Sequence, residues 1–123
     1  MTRSRRSARQ AGTRHESAIA AYLAAHVDDR IERRARTGAK DRGDLSGVRA
    51  PGGGRIVIEC KDVARLDLAG WVREAEIERG HDDAIAGVVV AKRARTADPG
   101  AQYVVMTVRD LVALLTGRRP EED

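Results

Sequence analysis

The chain has very few aromatic and sulfur-containing side chains. Among 123 residues there are one tryptophan, two tyrosines and no phenylalanine. A surface that binds single-stranded nucleic acid by stacking its bases is therefore poorly supported. The only cysteine is Cys60, which excludes a disulfide framework within the chain and favours a reducing compartment. Three scattered histidines beside one cysteine do not predict a closed zinc site.

Long apolar runs are also absent. No run approaches the ~20 residues that a membrane-spanning helix needs, so we predict no membrane partner. Residues 2–12 carry four arginines and no acid, and they lack the apolar stretch of a secretory signal. This composition resembles a transit peptide, but a flexible basic arm at residues 1–12 is the preferred interpretation. We therefore expect a cytoplasmic protein.

What the chain has in abundance is charge. Charged residues make up 34% of the sequence, and the net charge is +4. This balance favours an anionic partner, nucleic acid before membrane. The length fits one domain with a hydrophobic core, which we place at residues 13–116, followed by a loose polar tail at 117–123.

The hydrophobic pattern predicts an α/β fold of the order αβββαββα. Helices are expected at residues 13–27, 66–80 and 109–116, and strands at 30–36, 44–49, 55–61, 85–91 and 103–108. The run at 85–91 is continuously apolar, as in a strand that is covered on both faces. We expect an antiparallel meander of the first three strands, followed by a right-handed parallel βαβ unit, in one mixed sheet.

Two helices carry acids whose roles must be weighed. Thr13 and Glu16 match a capping box. Helix capping therefore explains Glu16 as well as a catalytic role does. On the second helix, Trp71 is expected in the core or at a dimer contact. The acids of that helix are expected to form a solvated face: Glu74, Glu76 and Glu78.

The most informative pattern is Arg42-Gly43-Asp44 followed, after a glycine-rich turn, by the strand that ends in Glu59-Cys60-Lys61. Side chains alternate along a strand, so Glu59 and Lys61 share one face and Cys60 points to the opposite, apolar face. Charged groups at the end of a buried strand are costly unless they serve a purpose. The alternatives are a solvated ion pair for Glu59 and Lys61, and a turn role for Asp44.

These charges suit a magnesium site. Magnesium takes hard oxygen ligands, and carboxylates on neighbouring strands, here Asp44 and Glu59, provide them. The backbone carbonyl of Cys60 is a further candidate ligand. A bound metal lowers the pKa of water and stabilises charge on a phosphate, and the Lys61 ammonium adds to that stabilisation. The pattern therefore predicts phosphodiester hydrolysis with Mg²⁺, or with Mn²⁺ in its place.

Basic residues surround this pattern. One group lies in the strand and loop that lead to Asp44: Arg33, Arg34, Arg36, Lys40 and Arg42. Lys92 and Arg93 form a second patch. Phosphate contacts of this kind position DNA without reading its sequence, so we expect binding directed by DNA shape.

With these residues in place, the chain resembles the PD-(D/E)XK nuclease superfamily, and within it the archaeal-type Holliday junction resolvases and similar phage and bacterial proteins. The resemblance covers roughly residues 13–90 and implies a restriction-endonuclease-like core. It implies that Asp44 and Glu59 are metal ligands, that Lys61 positions or polarises the attacking water, and that Glu16 completes the catalytic site. Gly43 departs from the motif, which has proline at that position.

The resemblance implies a magnesium-dependent endonuclease for branched double-stranded DNA, most similar to a Holliday junction resolvase in a bacterial, archaeal or phage-infected cell. Resolution of a junction requires two symmetrical nicks, so a homodimer is expected from a chain with one site. A nickase or flap nuclease of the same fold is the alternative among enzymes. Outside that class, the alternative is a non-catalytic basic accessory protein that binds DNA.

Overall fold

A computed structural model describes residues 3–35 and 40–121. Its helices are α1 (Arg5–His26), α2 (Leu68–Asp82) and α3 (Val108–Thr116). Its strands are β1 (Glu32–Arg33), β2 (Leu45–Ser46), β3 (Ile56–Lys61), β4 (Ala86–Ala91) and β5 (Tyr103–Val105). The mixed α/β class and the order of the elements are as predicted. Within these described residues, no helix has the length and apolar character needed to cross a membrane.

The larger sheet has three strands in the order β3-β4-β5. β3 and β4 are parallel and are connected by α2, which confirms the predicted parallel βαβ unit, while β5 runs antiparallel to β4. β1 and β2 form a separate antiparallel ladder of two residues each. Single hydrogen bonds join the segment around β2 to β3, including Ile56 N–H to the Val48 carbonyl at 2.9 Å. The predicted meander is therefore shorter and less regular than expected.

Helices cover both faces of the larger sheet. On one face, α1 contributes Ile19 and Ala20 to a core that also contains side chains from β2, β3 and β4: Leu45, Ile58, Cys60, Val88 and Val90. On the other face, Trp71 and Ala75 of α2 pack against Val89. These contacts confirm Cys60 and Trp71 as core residues. Because side chains alternate along β3, its odd-numbered residues lie on the α2 face.

The first helix starts earlier than the sequence suggested. α1 begins at Arg5, and Ser4 is its N-cap, with the Ser4 hydroxyl accepting a hydrogen bond from Ser7 N–H. Thr13 and Glu16 therefore lie inside the helix, and the predicted capping box is wrong. Residues 5–12, predicted as part of a flexible arm, form the first two turns of α1, where Ala11 is buried. A serine cap followed by good helix formers explains this start.

The buried Asp110 stabilises the beginning of α3 and the chain after its end. Its carboxylate accepts hydrogen bonds from Thr107 N–H at 3.3 Å, Gly87 N–H at 3.3 Å and Arg119 Nη1 at 2.7 Å. Residues 117–121, predicted as a loose tail, are thus held through Arg119. Burial raises the pKa of Asp110, but the hydrogen bonds from Arg119 and Thr107 outweigh it and hold the pKa below its ordinary 3.8.

Asp110→Asn is expected to lower the free energy of unfolding by about 2 kcal/mol at neutral pH, because two N–H donors and a guanidinium lose a charged acceptor. Since the pKa of Asp110 is lowered in the folded state, its contribution is present above the ordinary pKa and is lost as pH falls through the folded value. Urea unfolding between about pH 3 and pH 7 measures this loss. Asp83→Asn, at an exposed position, is the control; equal loss in native protein and Asp110→Asn on acidification would contradict the prediction.

Candidate active site

A cleft of about 580 Å³ opens between α1, the segment before β2, and the end of β3. The predicted site residues all contribute to its lining: Glu16, Asp44, Glu59, Cys60 and Lys61. Glu16 arrives from α1, Asp44 immediately precedes β2, and the other three are consecutive at the end of β3. The fold thus brings residues that are far apart in the chain into one cleft.

Asp44 is held in place by the backbone of β3. Its N–H donates to the Ile58 carbonyl at 2.8 Å, and its Oδ2 accepts from Cys60 N–H at 2.7 Å. The side chain is buried, with 5% of the residue exposed. The amide that it accepts from belongs to a neighbouring strand, so the alternative of a simple turn residue does not describe this carboxylate.

Gly43 stands where the nuclease motif that the sequence resembles has proline. Its φ angle is +93°, and a Cβ atom built on it would lie 2.8 Å from Val57 Cγ1 and 2.9 Å from the Ile58 carbonyl oxygen. Proline locks φ near −65°, so it cannot adopt this conformation. Glycine is required here because the chain must turn in the left-handed region and pass close to β3.

The carbonyl of Cys60 projects to the same side of β3 as Asp44. Lys92 N–H donates to the Lys61 carbonyl at 2.8 Å, so the carbonyls of odd-numbered residues face β4. The Ile58 carbonyl accepts from Asp44 on the opposite side. Carbonyl directions alternate along a strand, and the Cys60 carbonyl therefore points toward the cleft. Its contact with a metal stays a prediction.

Lys61 is held between two carboxylates. Its Nζ lies 2.7 Å from Glu74 Oε2 and 3.8 Å from Glu59 Oε1. Burial lowers the pKa of Lys61, but the interactions with Glu74 and Glu59 outweigh it and raise the pKa, which keeps the ammonium charged. Glu59 is only 3% exposed. The alternative of a solvated ion pair on the sheet surface is therefore wrong.

Glu59 sits among other acids. Burial raises its pKa well above the ordinary value, and the nearby carboxylates of Glu78 and Asp44 raise it further. Burial also raises the pKa of Glu78, to about 7, although the neighbouring Glu59 carboxyl group opposes this rise. The site therefore concentrates negative charge in a buried place, which favours the binding of a proton or a cation.

Sequence reasoning missed Asp41 and Glu78 as neighbours of Glu59. An oxygen of each lies within 4.8 Å of the other and of an oxygen of Glu59. The prediction of a solvated acidic face on α2 is wrong for Glu78, which is 2% exposed. The side chains of Glu74 and Glu76 are 45% and 43% exposed and form ion pairs with Lys61 and Arg79. A signal existed: Glu78 follows Ala75 by three residues and Trp71 by seven, which places all three on one face of a helix.

The residues of the first predicted DNA-binding group lie in different parts of the fold. Arg33 and Arg34 line the cleft, and Arg33 Nε lies 3.4 Å from Glu16 Oε1. Lys40 is exposed, whereas Arg42 Nη1 lies 3.9 Å from Asp82 Oδ1 near the end of α2. Arg36 lies outside the described residues.

The second basic patch borders a neighbouring groove. Lys92 and Arg93 line this groove, which has a volume of about 790 Å³ and meets the cleft at Asp62 and Val63. Lys92 Nζ donates to two backbone carbonyls of its own loop at 2.7 and 2.6 Å. The Arg93 guanidinium lies 4.5 Å from the centre of the Tyr103 ring. Both side chains therefore also stabilise the loop before β5.

Comparison with known proteins gives no match to this chain. No family model matches the sequence, and neither a curated protein nor a solved structure matches it.

Proposed function

We propose that the protein is a magnesium-dependent endonuclease with a PD-(D/E)XK-like core, acting on branched double-stranded DNA as a Holliday junction resolvase. The observation that carries the proposal is the single cleft that collects Glu16, Asp44, Glu59 and Lys61. The order of helices and strands is also the order that such a core requires. The absence of a proline before Asp44 does not weaken the proposal, because the backbone there needs glycine.

The donors in the cleft fit a hard divalent cation. Oε2 of Glu59 is buried and has no hydrogen-bond partner among the described residues, and the Asp44 carboxylate is near enough to raise the pKa of Glu59. Asp44, Glu59 and the Cys60 carbonyl would hold Mg²⁺ or Mn²⁺, both of which accept oxygen ligands. When bound, such an ion acidifies water and stabilises negative charge on a phosphate.

The remaining side chains have roles of their own. The Lys61 ammonium would stabilise the charge that develops on the phosphate and would orient the attacking water. Glu74 fixes the position of that ammonium through its 2.7 Å ion pair. Glu16 lies across the cleft beside Arg33, where it would complete the hydrogen bonding of the water.

The cleft is also suited to a phosphate backbone. Arg9, Arg33 and Arg34 line it together with the acids, and the chain carries a net charge of +4. Contacts of arginine with phosphates position DNA without sequence preference. The proposal includes a homodimer, because two symmetrical nicks need two sites. Exposed apolar residues of β5 and α3, among them Val104 and Val108, support a contact between two copies.

The test is strand cleavage of a labelled four-way junction beside a linear duplex of matching sequence, with Mg²⁺ and with EDTA. Native protein should make paired, metal-dependent nicks near the crossover and leave the duplex uncut. Lys61→Ala should reduce the rate on the order of 10²-fold or more, because an aligned positive charge is lost from the transition state. Lys40→Ala, which removes an exposed lysine, should affect DNA binding at most.

Two other outcomes of the cleavage assay would each indicate a different function. Equal cutting of both substrates would retain the nuclease and discard the preference for junctions, which leaves a nickase or flap nuclease. Tight binding of the junction without cutting would replace the enzyme by a non-catalytic DNA-binding protein.

A further inference from the structure

A cluster of three carboxylate groups lies on the α2 side of Glu59. Asp41, Glu59 and Glu78 each offer one carboxylate oxygen, and these three atoms lie within 4.8 Å of one another. They come from three separate parts of the fold: the loop before β2, strand β3 and helix α2. The cluster shares Glu59 with the proposed active site, but Asp41 and Glu78 do not line the cleft that holds Glu16 and Lys61.

The buried members of this cluster lack the donors that buried carboxylates need. Glu78 is 2% exposed, and no N–H or hydroxyl group of the described residues donates to either of its oxygens. The same is true of Oε2 of Glu59. The Lys61 ammonium approaches only the other oxygen of Glu59, at 3.8 Å. An unpaired buried carboxylate is costly, so this arrangement points to a positive group between the three acids.

We propose that Asp41, Glu59 and Glu78 bind a hard divalent cation, such as Mg²⁺, Mn²⁺ or Ca²⁺, at a position separate from the ion at Asp44. Oxygens within 4.8 Å of one another can surround an ion at the usual distances of about 2.1 to 2.5 Å. A divalent ion would offset two of the three negative charges, and the Lys61 ammonium lies 3.8 Å from the Glu59 carboxylate. Asp41 is exposed and provides the route by which the ion enters.

This ion would position the segment that carries Asp44. Asp41 Oδ1 accepts from Gly43 N–H at 2.9 Å, and the Asp41 carbonyl accepts from His81 Nδ1 at 2.8 Å. The loop is therefore already attached to the end of α2, and a cation between Asp41 and Glu78 would fasten it further. The inference rests on the proposed nuclease function and deepens it, because Glu59 serves in both sites and Asp41 lies in the segment that carries Asp44.

The test is equilibrium binding of Mn²⁺ to the full chain without DNA, with free Mn²⁺ measured by its electron paramagnetic resonance signal. Glu78→Gln and Asp41→Asn should each weaken one bound ion by at least about tenfold, as loss of a metal ligand does. Asp44→Asn should retain that ion. Asp83→Asn, an equal change of charge at the exposed end of α2, should bind Mn²⁺ as the native protein does.

Native-like binding of Mn²⁺ in both Glu78→Gln and Asp41→Asn would overturn the proposal. A proton shared by the carboxyl groups of Glu59 and Glu78 would then be the explanation of the cluster. Absence of Mn²⁺ binding by the native protein would overturn it as well. If Glu78→Gln fails to fold, Asp41→Asn still decides, because Asp41 is exposed. Mn²⁺ bound at this cluster by a protein that cuts no DNA would refute the nuclease alone. If the native protein cleaves DNA but Glu78→Gln and Asp41→Asn both bind Mn²⁺ as the native protein does, only the second metal site is refuted.

Discussion

Glu59→Gln is expected to slow metal-dependent cleavage strongly and, at the same time, to make the metal-free protein more stable. The loss of a ligand carboxylate should lower the cleavage rate on the order of 10²- to 10³-fold. The gain in stability, about 1 kcal/mol, follows because Glu59 is buried beside Asp44 and Glu78 and its Oε2 accepts no hydrogen bond from the described residues. A residue placed for structural reasons would show the opposite change in stability.

The pH dependence of unfolding gives an independent measure of the same effect. The pKa of Glu59 is raised in the folded state, so folded protein keeps a proton that the unfolded chain releases above its ordinary pKa of 4.5. Stability should therefore fall as pH rises above that value, and the fall should be weaker in Glu59→Gln. Urea unfolding of native protein, Glu59→Gln and the exposed control Glu32→Gln measures both quantities. Lower stability of Glu59→Gln than of the control would contradict the interpretation.

The part of the site on β3 could be predicted because it depends on local geometry. Alternation along one strand is enough to place Glu59 and Lys61 on one face and Cys60 in the core. The strand itself is recognisable from its apolar residues, and Asp44 precedes it across a glycine-rich turn. The positions of Glu59, Cys60 and Lys61 needed no knowledge of how distant segments pack.

The positions that sequence reasoning missed depend on packing between segments. Asp41 and Glu78 become neighbours only because α2 packs on the face of β3 that carries Glu59. Three acids spaced along α2 look like a solvated face, and only the spacing from Trp71 and Ala75 places Glu78 inward. The start of α1 was missed for a different reason: an arginine-rich segment resembles an arm, although Ser4 supplies a local cap.

The largest loss of stability is expected from Gly43→Ala. Two costs add at this position: a left-handed φ of +93° for a residue with a side chain, and contact of its Cβ with β3 at 2.8 and 2.9 Å. The left-handed backbone conformation lowers the free energy of unfolding by about 1 kcal/mol. Displacement of the packed atoms of β3 lowers it by about 2 kcal/mol more. The second contact is with a backbone carbonyl, which cannot move away without disturbing the strand that carries Glu59.

Two other glycines of the chain separate these costs. Gly53 has a φ of +96° and no atom within 4 Å of a built Cβ, so Gly53→Ala should cost the strain alone, about 1 kcal/mol. Gly52 has neither constraint, and Gly52→Ala should change the free energy of unfolding by less than about 0.5 kcal/mol. Urea unfolding of the three variants should give the order Gly43→Ala, Gly53→Ala, Gly52→Ala from largest to smallest loss. Equal losses of unfolding free energy for Gly43→Ala and Gly53→Ala would mean that the close approach of the chain to β3 at residue 43 does not hold Asp44 in place. A larger loss for Gly43→Ala, with cleavage reduced in that variant alone, would mean that this glycine sets the position of Asp44.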